Sequence, residues 1–516
     1  MLSLSGLADG LYSAGSLAND ADGFAFTLMG AQADVRVQRV LYLRVDDSPV
    51  PLDAVRVDVD GGSHLAAELQ TGQFIVLPRR QLARIHCAGA PLAAGPHEIR
   101  VRIDTAPFGE LELCATDTIG GTPATATTRR IPNDKGAARD YTAEMIGARQ
   151  RFVETFTGVA LRHVSTFSVD PQEARGNIEN FTGVAQVPLG VAGPLRINGE
   201  HASGDFLIPL ATTEGSLVAS YSRGMKVLSL AGGVTTTISG GGMQRAPVFE
   251  FATAREARDF IGWVDEHLPD IRAQAEATSH VARLVRIEPY LSNRFAFLRF
   301  SYSTGDAAGQ NMVGRATYAG YQWILANNPT VRRAYLESNF ATDKKTSHVN
   351  VLHPRGKRVT AEATIPRALL VQHLRVEPEQ LAHHWAVANV GALLSGANNN
   401  GLHSVNAITA LFIATGQDVA NVAEGTAATV YTELTADQSL YFSITIPSLI
   451  VATHGGGTHL ATQRECLRML GCDGVGTVEK LAEIVVATVL AGELSLAAAI
   501  SSHEWVSAHE KLGRNR

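Results

Sequence analysis

Cysteine is scarce in this chain of 516 residues, with only Cys87, Cys114, Cys466 and Cys472. They are too few and too scattered for a disulfide framework or a zinc ribbon, and a reducing cytoplasm is the simplest compartment. Strong charge of either sign is lacking too. A net charge of −6 and a pI near 6.3 exert no global pull on nucleic acid or an anionic membrane, so any anionic ligand has to be met by local basic groups. No basic segment followed by an apolar core opens the chain, so no signal peptide is expected. The most apolar long stretch, 481–500, is broken by Glu483 and Glu493 and reads as a buried helix, not a membrane span. There is no GxGxxG fingerprint and no cluster with metal-ligand spacing.

What is present is core-forming material: 45% of the residues are hydrophobic, enough for about two to four globular domains. Residues 1–125 carry short alternating runs at 35–45, 54–59, 98–104 and 110–114, the pattern of an all-β, sandwich-like module. That module resembles the small β-sandwich subunit of C-glycoside deglycosidases, a likeness that carries no function. Residues 126–175 read as a small, polar, proline-punctuated linker followed by a helical lead-in. From 246 to 337 the order is strand, helix, two strands, helix, strand, which is the ferredoxin-like arrangement. Within it Thr253 and Glu256 have capping-box spacing. The flanks, 176–245 and 338–516, are Gly/Ala-rich and read as one larger helical-core domain into which the small one is inserted. The expected class is α+β.

Several segments carry chemistry. Asn339-Phe340-Ala341-Thr342-Asp343-Lys344-Lys345 puts two adjacent lysines behind an aspartate in an otherwise uncharged run. Such a pair repels unless an anion or carboxylate compensates it, and the Lys344 ammonium can stabilise a developing oxyanion. Ala211-Thr212-Thr213-Glu214-Gly215 sets one carboxylate at a turn into an apolar helix, with Thr213 as the expected N-cap. In a closed apolar site such a glutamate donates a proton. Gly305-Asp306-Ala307-Ala308-Gly309-Gln310-Asn311 joins a strand to a helix and lets backbone N–H groups approach a phosphate. It is equally an ordinary turn capped by Asp306. Asp418, in Thr415-Gly416-Gln417-Asp418, ends an apolar helical stretch bearing Asn406. Buried there, it needs a cationic partner, whereas a helix-end aspartate is the plainer alternative. Gly455-Gly456-Gly457 bends round a cofactor or permits tight packing. His503 and His509 lie near the end of the chain.

Taken in order over 140–516, these segments are similar to the motif set of the 3-hydroxy-3-methylglutaryl-CoA reductase family, of a class I-like, soluble kind. Arg175-Gly176-Asn177-Ile178-Glu179-Asn180 resembles its substrate-entry motif. The resemblance implies that Glu214 protonates the aldehyde oxygen, Lys344 stabilises the oxyanion, Asp418 links the two, and His509 protonates the departing CoA thiolate. It implies substrate contacts from Ser220, Arg223, Arg245, Asp343, Lys345 and Asn406. Asp306, Gly309, Asn311, Gly455, Gly456 and Gly457 would lie at the cofactor, expected to be NADPH, with NADH possible and no metal. It further implies a cytoplasmic homodimer or dimer of dimers with active sites between subunits, and neither nucleic acid nor membrane as partner. The chain departs from the family pattern at Glu337 (with Ser338 as a substitute hydroxyl), Thr237, His280, Ala308 and Gln310. These departures leave open a reductase of a different branched acyl-CoA. The extra β module leaves open a binding or scaffold protein with a vestigial reductase domain.

Overall fold

The computed structural model describes residues 12–13, 15–29, 35–59, 62–71, 74–77, 82–106, 109–119, 130–133 and 139–502. They divide into two compact units, 1–131 and 132–516. Much of the stretch read as a linker lies outside the described residues.

The first unit is two five-stranded antiparallel sheets around one apolar core. Alternation dictates this packing. Val55–Val59 buries Val55, Val57 and Val59, and Leu82–Ala88 buries Ala83, Ile85 and Cys87, while the residues between them face outward. In the second sheet Gly95–Ala106 lies between Gly109–Ile119 and Val35–Val45, with Ile99↔Val45 and Ile103↔Val40 in register.

The second unit mixes helices with a large branched sheet. One strand, Val234–Arg245, ties it together. Its first half pairs parallel with Leu189–Gly199 and antiparallel with Gly356–Ile365, and its last residues pair with Phe295–Ser303. Beyond that junction the strands run in the order Arg333–Tyr335, Val248–Glu250, Phe295–Ser303, Arg283–Ser292, all antiparallel. Two helices, Ala254–Glu266 and Leu268–Glu276, connect the first strand in sequence to the second, where the sequence suggested one; His267 alone separates them, with Pro269 in the first turn of the second. Thr253 caps the first of these as its spacing implied: its side chain accepts from Glu256 N–H at 3.2 Å and Glu256 accepts from Ala252 N–H at 3.1 Å.

The core of this unit is organised around the helix Val478–Ser501. It is the one helix among the described residues long and apolar enough to cross a bilayer, and 83% of its most apolar window is buried in the fold. Glu483 and Glu493, the two charges that interrupt its apolar run 481–500, are fully buried. Glu483 accepts from the backbone N–H groups of Glu200, His201 and Ala202. Glu493 accepts from Leu402 N–H at 2.6 Å, His403 N–H at 2.8 Å and the Ser404 hydroxyl at 2.6 Å. Each carboxylate satisfies backbone donors of a neighbouring turn, which is how a buried charge is tolerated.

Candidate active site

Lys344 lies in the loop after the strand Arg333–Tyr335. Thr342 (φ 58°) and Lys344 (φ 56°) hold left-handed backbone, which costs a residue with a side chain roughly 1–2 kcal/mol. Neighbours fix this loop. The Thr342 hydroxyl donates to Asn350 Oδ1 at 2.7 Å, and the Lys344 N–H donates to Glu424 Oε1 at 2.7 Å. The buried Arg355 guanidinium binds Asp343 Oδ1, while Arg245 Nη1 lies 3.5 Å from Asp343 Oδ2. Lys345 turns back to donate to the Asp343 carbonyl at 3.0 Å.

The Lys344 ammonium reaches Asp418 Oδ2 at 2.9 Å. This hydrogen bond holds the lysine pKa above its ordinary value, so the amine is charged at neutral pH. Asp418 itself corrects the expectation of a buried helical residue. The helix Ser404–Thr415 stops before it, at Gly416 in left-handed backbone (φ 71°), a place only glycine fits because a Cβ would stand 2.3 Å from the Gly457 carbonyl oxygen. Asp418 instead caps the single turn Val419–Asn421, accepting from Ala420 N–H at 3.1 Å, and its side chain is 42% exposed.

Asp418 lies on a cleft of ≈ 390 Å³ whose walls include Gly309, Gln310, Asn311, Gly455 and Gly456. The strand-to-helix turn at 305–311 and the glycine run thus converge beside the Lys344–Asp418 pair. Gly309 (φ 81°) begins the 18-residue helix Gln310–Asn327, and Asn177 Nδ2 donates to the Gly456 carbonyl at 2.7 Å. Asp306 is turned elsewhere. Its carboxylate accepts from Gly476, Thr477 and Val478 N–H at 2.8–3.3 Å. It caps the long helix Val478–Ser501 and not the helix that follows it in sequence. Gln310 Nε2 donates to Asn421 Oδ1 at 2.9 Å and lies 3.4 Å from Asp343 Oδ1, linking the turn to the lysine loop.

Glu214 is exposed. The helix after it begins only at Leu217, behind Ser216 (φ 65°), so Thr213 is not the N-cap that the sequence suggested. Asn406 Nδ2 lies 3.4 Å from Glu214 Oε1. No ion pair joins Glu214 to Lys344 within one chain among the described residues. Ser220 and Arg223 face the long helix: Ser220 Oγ is 3.1 Å from Ser495 Oγ, and Arg223 donates to Ser495 Oγ at 3.0 Å and its carbonyl at 2.6 Å. Glu337 accepts from Asn339 N–H at 2.8 Å, and the Ser338 hydroxyl donates to the Ala246 carbonyl at 2.5 Å. His503 and His509 lie outside the described residues.

Two functional candidates escaped the sequence reading. The Arg355 and Glu424 side chains are fully buried and paired, Nε to Oε1 at 3.2 Å, directly behind Lys344. Burial pushes the Glu424 carboxyl above its usual value, opposed by the Lys344 N–H and the Arg355 guanidinium. Pro354-Arg355-Gly356 and Ala423-Glu424-Gly425 each set one charge among small or uncharged residues. Among the described residues one trio of metal-type ligands converges, Glu200, His201 and Glu483, but the carboxylate of Glu483 is the one filled by three backbone N–H groups.

Comparison with known proteins places this geometry. Residues 145–514 match the family described as hydroxymethylglutaryl-coenzyme A reductase. Residues 7–120, which the sequence reading left outside the resemblance, match the N-terminal domain of the same family. The 3-hydroxy-3-methylglutaryl-coenzyme A reductase of Pyrococcus abyssi is 44% identical over 375 residues, covering 71% of this chain and 92% of that relative. That of Methanothermobacter thermautotrophicus is 42% identical over 375 residues, covering 72% and 94%. Among solved structures, the class II reductase of Streptococcus pneumoniae bound to NADPH in open conformations superposes with a TM-score of 0.52 at 21% identity, over 70% of this chain and 84% of that one. At that identity the likeness is one of fold.

Proposed function

Since this chain belongs to the hydroxymethylglutaryl-CoA reductase family, we propose that it reduces 3-hydroxy-3-methylglutaryl-CoA to mevalonate and CoA in two steps, with NADPH as reductant. It is an oxidoreductase of the mevalonate route. The observation that carries the reading is the Lys344–Asp418 pair, 2.9 Å apart, with Asp418 on the wall of the cleft where the 305–311 turn meets the glycine run.

The residues fit a dinucleotide. Gly309, Gly455 and Gly456 hold positive φ and let the chain approach a ligand closely, and the N-terminus of the helix Gln310–Asn327 opens on the same cleft. Gly309, Asn311, Gly455 and Gly456 line or shape the cofactor's place, Gly457 closes on Gly416 behind it, and Asp306 fixes the turn from the rear. Bound NADPH supplies a hydride at each of two steps. Lys344, kept protonated by Asp418, stabilises the negative charge that forms on the thioester oxygen and again on the aldehyde oxygen. Arg245, with Asp343 and Lys345, receives the hydroxymethylglutaryl end. Ser220 and Arg223 lie on the CoA side, and His509 protonates the leaving thiolate.

Glu214 donates the last proton, which requires it to approach Lys344. We assign that approach to a second copy of the chain, as a homodimer or dimer of dimers with the site between subunits. The domain reading that goes with this is an inserted ferredoxin-like cofactor domain at 246–337 in a larger substrate domain, in a soluble cytoplasmic protein. His280 is exposed and can meet a ribose phosphate, which favours NADPH over NADH.

The test is oxidation of NADPH and of NADH with hydroxymethylglutaryl-CoA, comparing wild type with Lys344→Ala. Turnover with NADPH that falls by about 100-fold or more in the variant is expected, the loss typical of an oxyanion-stabilising group. A better substrate among other branched acyl-CoA thioesters, by tenfold in kcat/KM or more, would overturn the substrate assignment.

A further inference from the structure

Lys344 is held at both ends by one short segment. Asp418, at its start, takes the ammonium at 2.9 Å, and Glu424, near its end, takes the backbone N–H at 2.7 Å. The segment is two tight turns, Val419–Asn421 and Val422–Gly425, so the two carboxylates are fixed relative to each other. Glu424 Oε1 also receives Arg355 Nε at 3.2 Å, while Arg355 Nη1 donates to the Gln244 carbonyl at 2.8 Å and Nη2 binds Asp343. The second Glu424 oxygen is buried with no hydrogen-bond partner. Both charged side chains are wholly shielded from solvent, an arrangement that fold stability alone does not call for, because apolar side chains of similar volume do as well or better.

We propose that Arg355 and Glu424 are positioning residues of the reduction. Glu424 locks the left-handed backbone of Lys344 and Arg355 locks its neighbour Asp343, so that the ammonium stays aimed at Asp418 and the cleft. This rests on the reductase reading above. It adds that the aim of Lys344 is set from behind by a buried pair that touches no substrate.

The experiment uses the full-length enzyme in three forms. Wild type comes first: if it does not turn over hydroxymethylglutaryl-CoA, the reductase reading fails and nothing is learned about the pair from turnover. Glu424→Gln keeps an oxygen acceptor for the Lys344 N–H but loses the charge that holds Arg355. The double variant Arg355→Met/Glu424→Leu removes both charges together, so that it folds without an orphaned ion, but nothing then holds the Lys344 N–H.

For the double variant kcat is expected to fall at least 30-fold while KM for hydroxymethylglutaryl-CoA moves less than threefold; Glu424→Gln should fall between it and wild type. A second readout is independent of activity. Trinitrobenzenesulfonate labelling of Lys344, read by peptide mass spectrometry, should rise at least fivefold in the double variant, because the amine leaves Asp418. Labelling of Lys480 serves as the internal control and should not change. A double variant that melts like wild type, keeps kcat within threefold and leaves Lys344 labelling unchanged would falsify the proposal. Lost turnover with unchanged labelling also sinks it, since the aim of the amine would then be intact.

Discussion

Two helices of the catalytic unit are built from similar residues and stand in opposite surroundings. Val478–Ser501 is apolar almost throughout after its first turn, and from Leu481 on its side chains are buried nearly without exception, Glu483 and Glu493 included. Pro378–Ser395 is also mostly apolar. It buries only Pro378, Leu381 and Trp385, while Val387 is 56%, Val390 58%, Leu393 82% and Leu394 83% exposed. Positions 387, 390 and 394 follow the three- and four-residue spacing of one helical stripe. The first helix has found all its neighbours within one chain. The second presents an apolar stripe that a stable soluble protein covers with something else.

The sharpest way to break the first helix is through Glu493. Glu493→Ala leaves the part-buried N–H groups of Leu402 and His403 and the buried Ser404 hydroxyl without their acceptor. A buried orphan costs about 1–3 kcal/mol and a part-buried one less, so a loss of roughly 2–4 kcal/mol in urea unfolding is expected. Because Asn406 follows directly on this turn, turnover should fall with it. A loss under about 1 kcal/mol would show that the three donors find other partners. Next comes packing. A Cβ at Gly492 would lie 2.2 Å from the Tyr221 ring, so Gly492→Ala should destabilise by about 1–3 kcal/mol. Thermal melting checks it, and no shift would mean that the ring swings aside freely.

Protonation gives a smaller effect with a definite sign. Burial raises the Glu493 pKa above the ordinary glutamate value. Between the ordinary and the raised value the native state therefore holds a proton that the unfolded chain has released. Stability from this group is fully present below the ordinary glutamate value and is lost as pH rises through the raised one. Wild-type stability should decline with pH across that window relative to Glu493→Gln, by at most about 1.4 kcal/mol per pH unit. Parallel pH profiles for the two proteins would contradict the assignment.

How much of this was legible beforehand differs between the helices, and for physical reasons. The stretch 481–500 read as a buried helix because two charges interrupt a run too apolar for a surface. What the sequence could not say is that each carboxylate serves a turn some 90 to 280 residues away in the chain. The lysine loop, the turn at 305–311 and the glycine run were marked by composition, since charges and glycines in unusual company are visible locally. Asp418 was misjudged because the helix ends two residues before it, at the left-handed Gly416, and the apolar run was read past that glycine. Arg355 and Glu424 were overlooked because a buried pair announces itself only when both halves are seen together. The helix 378–395 drew no attention, since periodicity reports an apolar face but not what lies against it.

The exposed helix yields the smallest expected effect on the stability of one chain and the clearest on assembly. Leu393→Asp/Leu394→Asp alters two side chains that are 82% and 83% exposed, so the isolated subunit should keep its unfolding free energy within about 0.5 kcal/mol. If a second copy covers this stripe, the same two charges are driven into an apolar interface and oppose it, so light scattering should report a single chain where wild type reports a dimer or larger. Turnover should then vanish although the fold is intact, because Glu214 and Lys344 make no ion pair within one chain. Added Glu214→Ala subunits, inactive alone but with their own leucines in place, should not restore it. A variant that stays assembled and active would mean that the stripe is not the surface through which copies of this chain meet; one that is a single chain yet active would mean that Glu214 reaches Lys344 by a movement within one subunit.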